Sequence, residues 1–219
     1  MLDFWNYKFK EVKTMWGLDP SDSAIMAKDF FLEHQIHDIL IPGVGYGRNA
    51  NIFLQNGIDV TGIEISEYAI HLAKNELKLD FPIYQGSVND MPYDNKQYDG
   101  VFCYALIHLL NKKERKQLID NCYKQLQENG YMLFITLSKN ASMYGTGKQV
   151  SKDRFKLEKG LHVFFYDKES ATKEFKDYGL VDFQEIDEPI KFMENQPPLK
   201  FIMIKCQKNT DHGLVIRLK

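Results

Sequence analysis

Little in this chain marks it for a special environment. It has only three cysteines in 219 residues, Cys103, Cys122 and Cys206, far apart and odd in number. No pair has metal-ligand spacing, so a disulfide framework or a zinc site is not expected, and a reduced, cytoplasmic setting fits best. No apolar run approaches the roughly 20 residues that a membrane span needs. The opening MLDFWNYKFKEVKTMWG lacks the uninterrupted apolar core of a signal peptide. There is no excess of positive charge either: 28 Lys and Arg stand against 30 Asp and Glu, a formal net charge of −2. That argues against a broad electrostatic grip on nucleic acid. Internal repeats and low-complexity segments are absent. With 44 % hydrophobic residues the chain supports one sizeable core.

Short apolar runs alternate with helical spacing. IHDILI (36–41) ends at Pro42 and Gly43 and reads as a buried strand. RNANIFLQNG (48–57) is helical with a glycine stop, and IDVTGIEI (58–65) is a β-branched second strand. SEYAIHLAKNELK (66–78) opens on a good helix cap. FPIYQGSV and YDGVFCYA (98–105) are further strands. KKERKQLIDNCYKQLQENG (112–130) is an amphipathic helix with a glycine end, and YMLFITLS (131–138) a fifth strand. Such alternation packs as a parallel sheet with helices on both faces. Residues 139–166 carry glycines, lysines and aromatics without a clear period, and are expected to run as an excursion over one end of the sheet. DKESATKEFKDYG (167–179) is helical again. LVDFQEIDE and KFIMIKCQK, joined through NQPP, suggest a closing hairpin with an antiparallel strand. One domain over 1–219 is expected: a cap segment at 1–34, a binding core at 36–138, the excursion at 139–166, and a helix and hairpin at 167–207.

Three glycines at every second position, Gly43, Gly45 and Gly47, follow the first strand. In open α/β sheets ligands bind beyond the carboxyl ends of the strands, and glycine lets a ligand touch the main chain. Glu64 ends the second strand, where an acid accepts hydrogen bonds from both hydroxyls of a ribose. Together these imply a nucleoside-containing cofactor. The dinucleotide pattern G-x-G-x-x-G/A fails here, because Arg48 stands where its third member should be.

The G-x-G-x-G run, with Val44 and Arg48, resembles motif I of the class I methyltransferases that use S-adenosylmethionine. VTGIEIS, with Glu64 and Ile65, resembles their acidic second motif, and GSVNDMPYDNKQYDGVFCYALIHLL their stretch from the adenine-binding loop to the fourth strand. The resemblance covers residues 36–138 and implies a Rossmann-like, doubly wound α/β fold: a mostly parallel seven-stranded sheet with an antiparallel C-terminal strand. It also implies S-adenosyl-L-methionine as cofactor. Ile41 replaces the usual acid two residues before the first glycine, and the resulting IPG looks like the VPG of thiopurine- and thiol-type methyltransferases. Ser87 stands where many members hold the adenine amino group with an acid; Asp90 is the candidate replacement, with Val88 beside it.

Cys103, Tyr104 and Ala105 end the fourth strand and should border the transfer region, Cys103 as cofactor contact and Tyr104 as catalytic candidate. Cys103 has a second reading as a small buried hydrophobe. His108 lies where the resembled family often has a histidine, and is either a base or a structural imidazole. Trp16, Tyr144, His162 and Phe164, with Phe165 and Tyr166, either line the acceptor pocket or belong to the core. NKKERK (111–116) reads as a solvated helix start. No Asn/Asp-Pro-Pro-aromatic run and no Pro-Cys follows the fourth strand, and the charge is slightly acidic, so a small-molecule acceptor is expected rather than nucleic acid, acting in a monomer or homodimer. The rival readings are a non-catalytic S-adenosylmethionine-binding protein and a nicotinamide-dependent oxidoreductase.

Overall fold

The computed structural model describes residues 2–157, 160–191 and 196–209. Five of its strands follow the expected alternation: β1 (Asp38–Pro42), β2 (Asp59–Glu64), β3 (Ile83–Gln85), β4 (Tyr98–Tyr104) and β5 (Leu126–Leu137). A small group of three follows, β6 (Lys148–Ser151), β7 (Arg154–Lys156) and β8 (His162–Phe164), and then the closing pair β9 (Leu180–Glu188) and β10 (Leu199–Gln207). The main sheet has seven strands in the order β3-β2-β1-β4-β5-β10-β9. It is parallel from β3 through β5, and β10 runs antiparallel to both its neighbours. This is the expected Rossmann-like α/β sheet. The chain steps outward from β1 to β3 and then returns to the other side of β1, which puts the switch point between β1 and β4.

Alternation within the strands divides the core in two. Ile39 and Ile41 of β1 face one layer, where α2 (Asp22–Glu33) and α3 (Ala50–Leu54) bring Ala24, Ala27, Phe31 and Phe53. Leu40 faces the other, where α5 (Lys112–Gln125) and α6 (Lys168–Phe175) bring Leu118, Ile119, Cys122 and Phe175. Both faces are covered, so the parallel strands read as continuous apolar runs. A third, smaller cluster joins α1 (Leu2–Val12) to α4 (Glu67–His71) through Phe9, Tyr46, Ala69 and Leu72. Local chemistry fixes the helix starts. Asn111 and Glu114 form a reciprocal capping box on α5, a device that contributes about 1 kcal/mol. No helix among the described residues is long and apolar enough to cross a membrane.

Three expectations change. α5 ends at Gln125, not at Gly130, which lies inside β5. A Cβ on Gly130 would sit 2.7 Å from the Asp99 carbonyl oxygen, so this glycine permits a close backbone approach and does not stop a helix. Within the excursion, β6, β7 and β8 form a three-stranded antiparallel sheet; strands of three or four residues are too short to show a period. NKKERK is not wholly solvated, because Arg115 is buried at 3 % exposure. The tail at 210–219 and the start of the NQPP join lie outside the described residues.

Candidate active site

The loop after β1 is drawn over the end of β2. The N–H groups of Gly43 and Val44 both donate to the Ile63 carbonyl, at 2.8 and 3.1 Å. All three glycines have positive φ. At Gly47 (φ +81°) an added Cβ would lie 2.6 Å from Leu79, so this glycine serves packing and does not face the cavity. At Gly45 (φ +59°) the nearest atom to an added Cβ is the Phe9 ring at 3.8 Å. That backbone opens on a cavity of about 540 Å³, within the usual range for small-ligand sites.

Glu64 ties this loop to the second strand. One carboxylate oxygen accepts from Gly45 N–H and the other from Ser66 N–H, each at 2.8 Å. Burial raises the carboxyl above its ordinary pKa, and these backbone N–H groups oppose that shift. Each oxygen keeps lone pairs for further donors, and Glu64 lines the cavity.

Of the expected cofactor contacts, Gly43, Val44, Gly45, Arg48, Glu64, Ile65, Ser87 and Val88 line the cavity, and Gly47, Asp90 and Cys103 do not. Cys103 is fully buried in the α5–α6 layer, its thiol pushed up by desolvation. Asp90 closes a short 3₁₀ turn, Val88–Asp90, that Ser87 caps by accepting from Asn89 N–H at 3.2 Å. Asn89, unmarked by any motif, lines the cavity instead, and its Oδ1 is buried with no hydrogen-bond partner.

A floor of aromatics closes one end. Trp5, Phe9 and Trp16 line the cavity from the N-terminal segment. Trp16 stacks on Tyr46 with the ring planes 11° apart, and its backbone N–H donates to the Tyr46 hydroxyl, which itself donates to the Gly17 carbonyl. Arg48 donates to the Trp16 carbonyl at 2.9 Å, and its guanidinium lies 5.7 Å from the Tyr104 ring. The i, i+4 spacing of Trp5 and Phe9 was a legible helical stripe that sequence reasoning left unused.

The other end is apolar. Leu109, Met143, Leu157, Leu161, Val163 and Phe201 line it. Tyr144, His162 and Phe164 do not, the last two for reasons of register. Phe155 pairs with Val163 and faces the core, while Arg154 pairs with Phe164 and Lys156 with His162 on the opposite side. Tyr144 packs edge-on to Phe155 and Phe165 and donates to Asp153 at 2.9 Å. Phe165 and Tyr166 are fully buried in the two core layers.

Tyr104 and His108 both line the cavity. Burial, with Glu188 nearby, pushes the Tyr104 hydroxyl up to about 12. Burial alone pushes His108 down to about 3, and its Nδ1 lies 3.4 Å from Thr136 Oγ1. Both are therefore neutral at physiological pH. Glu188, at 2 % exposure, lines the cavity as well, but its oxygens are engaged at the start of α2, accepting from Asp22 and Ser23 N–H at 2.8 and 3.1 Å. No motif announced it.

His108 carries a pH prediction. Its folded pKa lies below that of a free imidazole, so the unfolded chain takes up a proton that the folded one refuses. Stability is intact above about pH 6.5 and falls as the pH drops toward 3. Unfolding in urea should show a loss from this group of about 2 kcal/mol between pH 7 and 5. His108→Gln should remove that part of the slope; an unchanged slope would refute it.

Residues 40–134 match the family described as a methyltransferase domain. Ubiquinone biosynthesis O-methyltransferases of Coxiella burnetii strains are 24 % identical over 145 residues, 65 % of this chain and 60 % of theirs, so the chain matches only about 60 % of the length of these curated relatives. Among solved structures, the 1,6-didemethyltoxoflavin-N1-methyltransferase of Burkholderia thailandensis, with its ligand and S-adenosylhomocysteine bound, superposes with a TM-score of 0.72 at 13 % identity, covering 95 % of this chain and 87 % of that one. An S-adenosylmethionine-dependent methyltransferase of Clostridium acetobutylicum gives 0.68 at 13 % identity, covering 94 % and 98 %. Residues 40–134 are thus similar to a methyltransferase domain, and the chain has the Rossmann-like α/β fold of these solved S-adenosylmethionine-dependent methyltransferases.

Proposed function

We propose that this protein transfers a methyl group from S-adenosyl-L-methionine to a small, uncharged, largely apolar molecule bearing a nucleophilic sulfur, nitrogen or oxygen. One observation carries the reading: a single cavity runs from the glycine loop and Glu64 to the apolar wall of Leu157, Leu161, Val163 and Phe201. The relatives' names include an O-methyltransferase and an N1-methyltransferase, so they do not single out one of the three acceptors. The IPG start of the loop resembles the VPG of thiopurine- and thiol-type methyltransferases, which keeps sulfur among the acceptors.

The residues present fit the cofactor. Gly45 leaves room at the backbone for a ligand, Glu64 accepts from ribose hydroxyls, and the orphan Asn89 Oδ1 accepts from an amino group such as that of adenine, the part the sequence suggested for Asp90. Arg48 is the cation for a carboxylate, and main-chain carbonyls serve the amino group in place of the acid missing at Ile41. When bound, S-adenosylmethionine supplies a methyl group activated by its sulfonium.

The chain's own part is to hold and to exclude water. The apolar wall positions the acceptor by shape. Proximity and orientation of this kind account for on the order of 7–11 kcal/mol in favourable cases. Tyr104, neutral, keeps its proton and donates a hydrogen bond that orients the acceptor molecule. His108, neutral, accepts a hydrogen bond and is a weak base, so acceptors that are already good nucleophiles are preferred. The three cysteines are free and buried, compatible with work in a reducing cytoplasm.

Calorimetric titration with S-adenosylhomocysteine, with NAD as control, tests the cofactor. Micromolar binding of the first alone is expected. Binding of NAD, or none of S-adenosylhomocysteine, would sink the proposal. Binding without product across a panel of phenols, thiols and nitrogen heterocycles would favour a non-catalytic binder.

A further inference from the structure

A second cavity lies on the α5–α6 side of the sheet, between those helices and the turn joining β6 to β7, with a volume of about 1140 Å³. Its charge is uneven. Arg115, Lys116 and Lys139 are paired, with Glu174, with Asp120, and with Asp153 and Asp167. Arg154, Lys112, Lys113, Lys124, Lys152 and Lys173 also line it and make no ion pair among the described residues; only two unpaired acids, Glu169 and Asp177, face them.

Arg154 is the centre of this excess. It is partly buried, and among the described residues its Nη2 reaches only the Leu109 carbonyl, at 3.5 Å. Across the strand pair stands Phe164, and on that ring lies the Arg115 guanidinium, 3.8 Å from the centroid. Glu174 is the carboxylate paired with Arg115, and no carboxylate among the described residues pairs directly with Arg154, though the charge of Glu114 acts on it. Burial and the charge of Arg115 pull the Arg154 pKa down, and the charge of Glu114 only partly opposes them. Asn121 lines the same cavity with a buried Nδ2 donor that has no partner. These unpaired donors call for an acceptor-only group, and guanidinium forks match phosphate oxygens in pairs.

We propose that this cleft is a second binding site, for a phosphate-bearing small molecule seated on Arg154 and Lys152. A nucleic acid fits it less well. Asp120, Asp153, Asp167, Glu169 and Asp177 interrupt the cleft and repel a continuous phosphate backbone. The two cavities meet back to back. Arg115 holds the Leu110 carbonyl at 3.3 Å and Arg154 that of Leu109, and both leucines line the first cavity beside His108. Occupancy of the cleft therefore bears on the wall that receives the acceptor.

The test is calorimetric titration of the full chain with pyrophosphate, inorganic phosphate and glycerol 3-phosphate at constant ionic strength. Saturable binding of pyrophosphate is expected, weakened about tenfold or more in Arg154→Gln and less in Lys152→Gln, an exposed turn position that leaves the fold alone. Glycerol 3-phosphate binding more tightly than inorganic phosphate would point to an organic phosphate, and the reverse to the free ion. S-adenosylhomocysteine affinity should be unchanged in both variants, so failure here is separable from failure of the proposed activity. No saturable binding, or equal binding in the parent and both variants, would overturn the proposal. Tighter binding of a duplex oligonucleotide with the same Arg154 dependence would also overturn it, in favour of nucleic acid.

Discussion

Gly45→Ala is expected to weaken S-adenosylhomocysteine binding about 100-fold or more while costing only about 1–2 kcal/mol of stability. The stability cost is the left-handed backbone at φ +59°. The binding cost has another source. The new methyl would project toward Phe9, whose nearest atom is 3.8 Å away, and so occupy the space where the ligand approaches the chain. It would also disturb the N–H that holds Glu64 at 2.8 Å. Gly57→Ala separates the two effects. Gly57 has φ +75° and nothing within 4 Å of an added Cβ, so it carries the same strain with no bearing on the cavity. Calorimetry should find binding lost in the first variant and kept in the second, with similar urea midpoints. Equal affinities in both would mean that the glycine loop does not touch the ligand.

Glu174→Ala should be the most damaging single change to stability, about 3–5 kcal/mol. Glu174 is the only carboxylate on Arg115 among the described residues, with contacts of 2.7 to 3.2 Å to Nη2 and Nε, and it also accepts from Tyr166 at 2.7 Å. Removing it leaves a buried guanidinium without its counter-charge and a buried phenol without an acceptor. For a chain of this size the loss corresponds to a fall in Tm of roughly 10 °C. Glu174→Gln, which keeps an acceptor, should fall between. A loss under about 1 kcal/mol would show that water reaches Arg115 and that the pair is a surface contact.

The sheet was legible because burial on both faces leaves a coarse signal: apolar runs bounded by glycine and proline, with capped helices between. The glycine loop and Glu64 were legible because backbone geometry at a strand end restricts residue type. The apolar end of the cavity was not. Leu157, Leu161 and Val163 sit on strands and turns too short for a period, and a one-residue change in register decides whether a side chain faces the cavity or the opposite side. That is why the expected Phe164 and His162 turn away and Val163 turns in. Glu188 was hidden because its partners at the start of α2 are 165 residues or more away in the chain. Asn89 stood one residue from the expected Asp90, a difference set by the 3₁₀ turn.

The place of β10 has a consequence for how the protein is made. Among the described residues it is the last strand of the sheet in sequence, yet it lies between β5 and β9. On the ribosome, residues up to 198 can emerge with one edge of β5 still open and β9 without its neighbour. An open apolar edge is a template for pairing with other chains. Translation stalled or truncated before residues 199–207 would therefore leave a sticky intermediate, and the final nine-residue strand works as a zip that closes both edges at once.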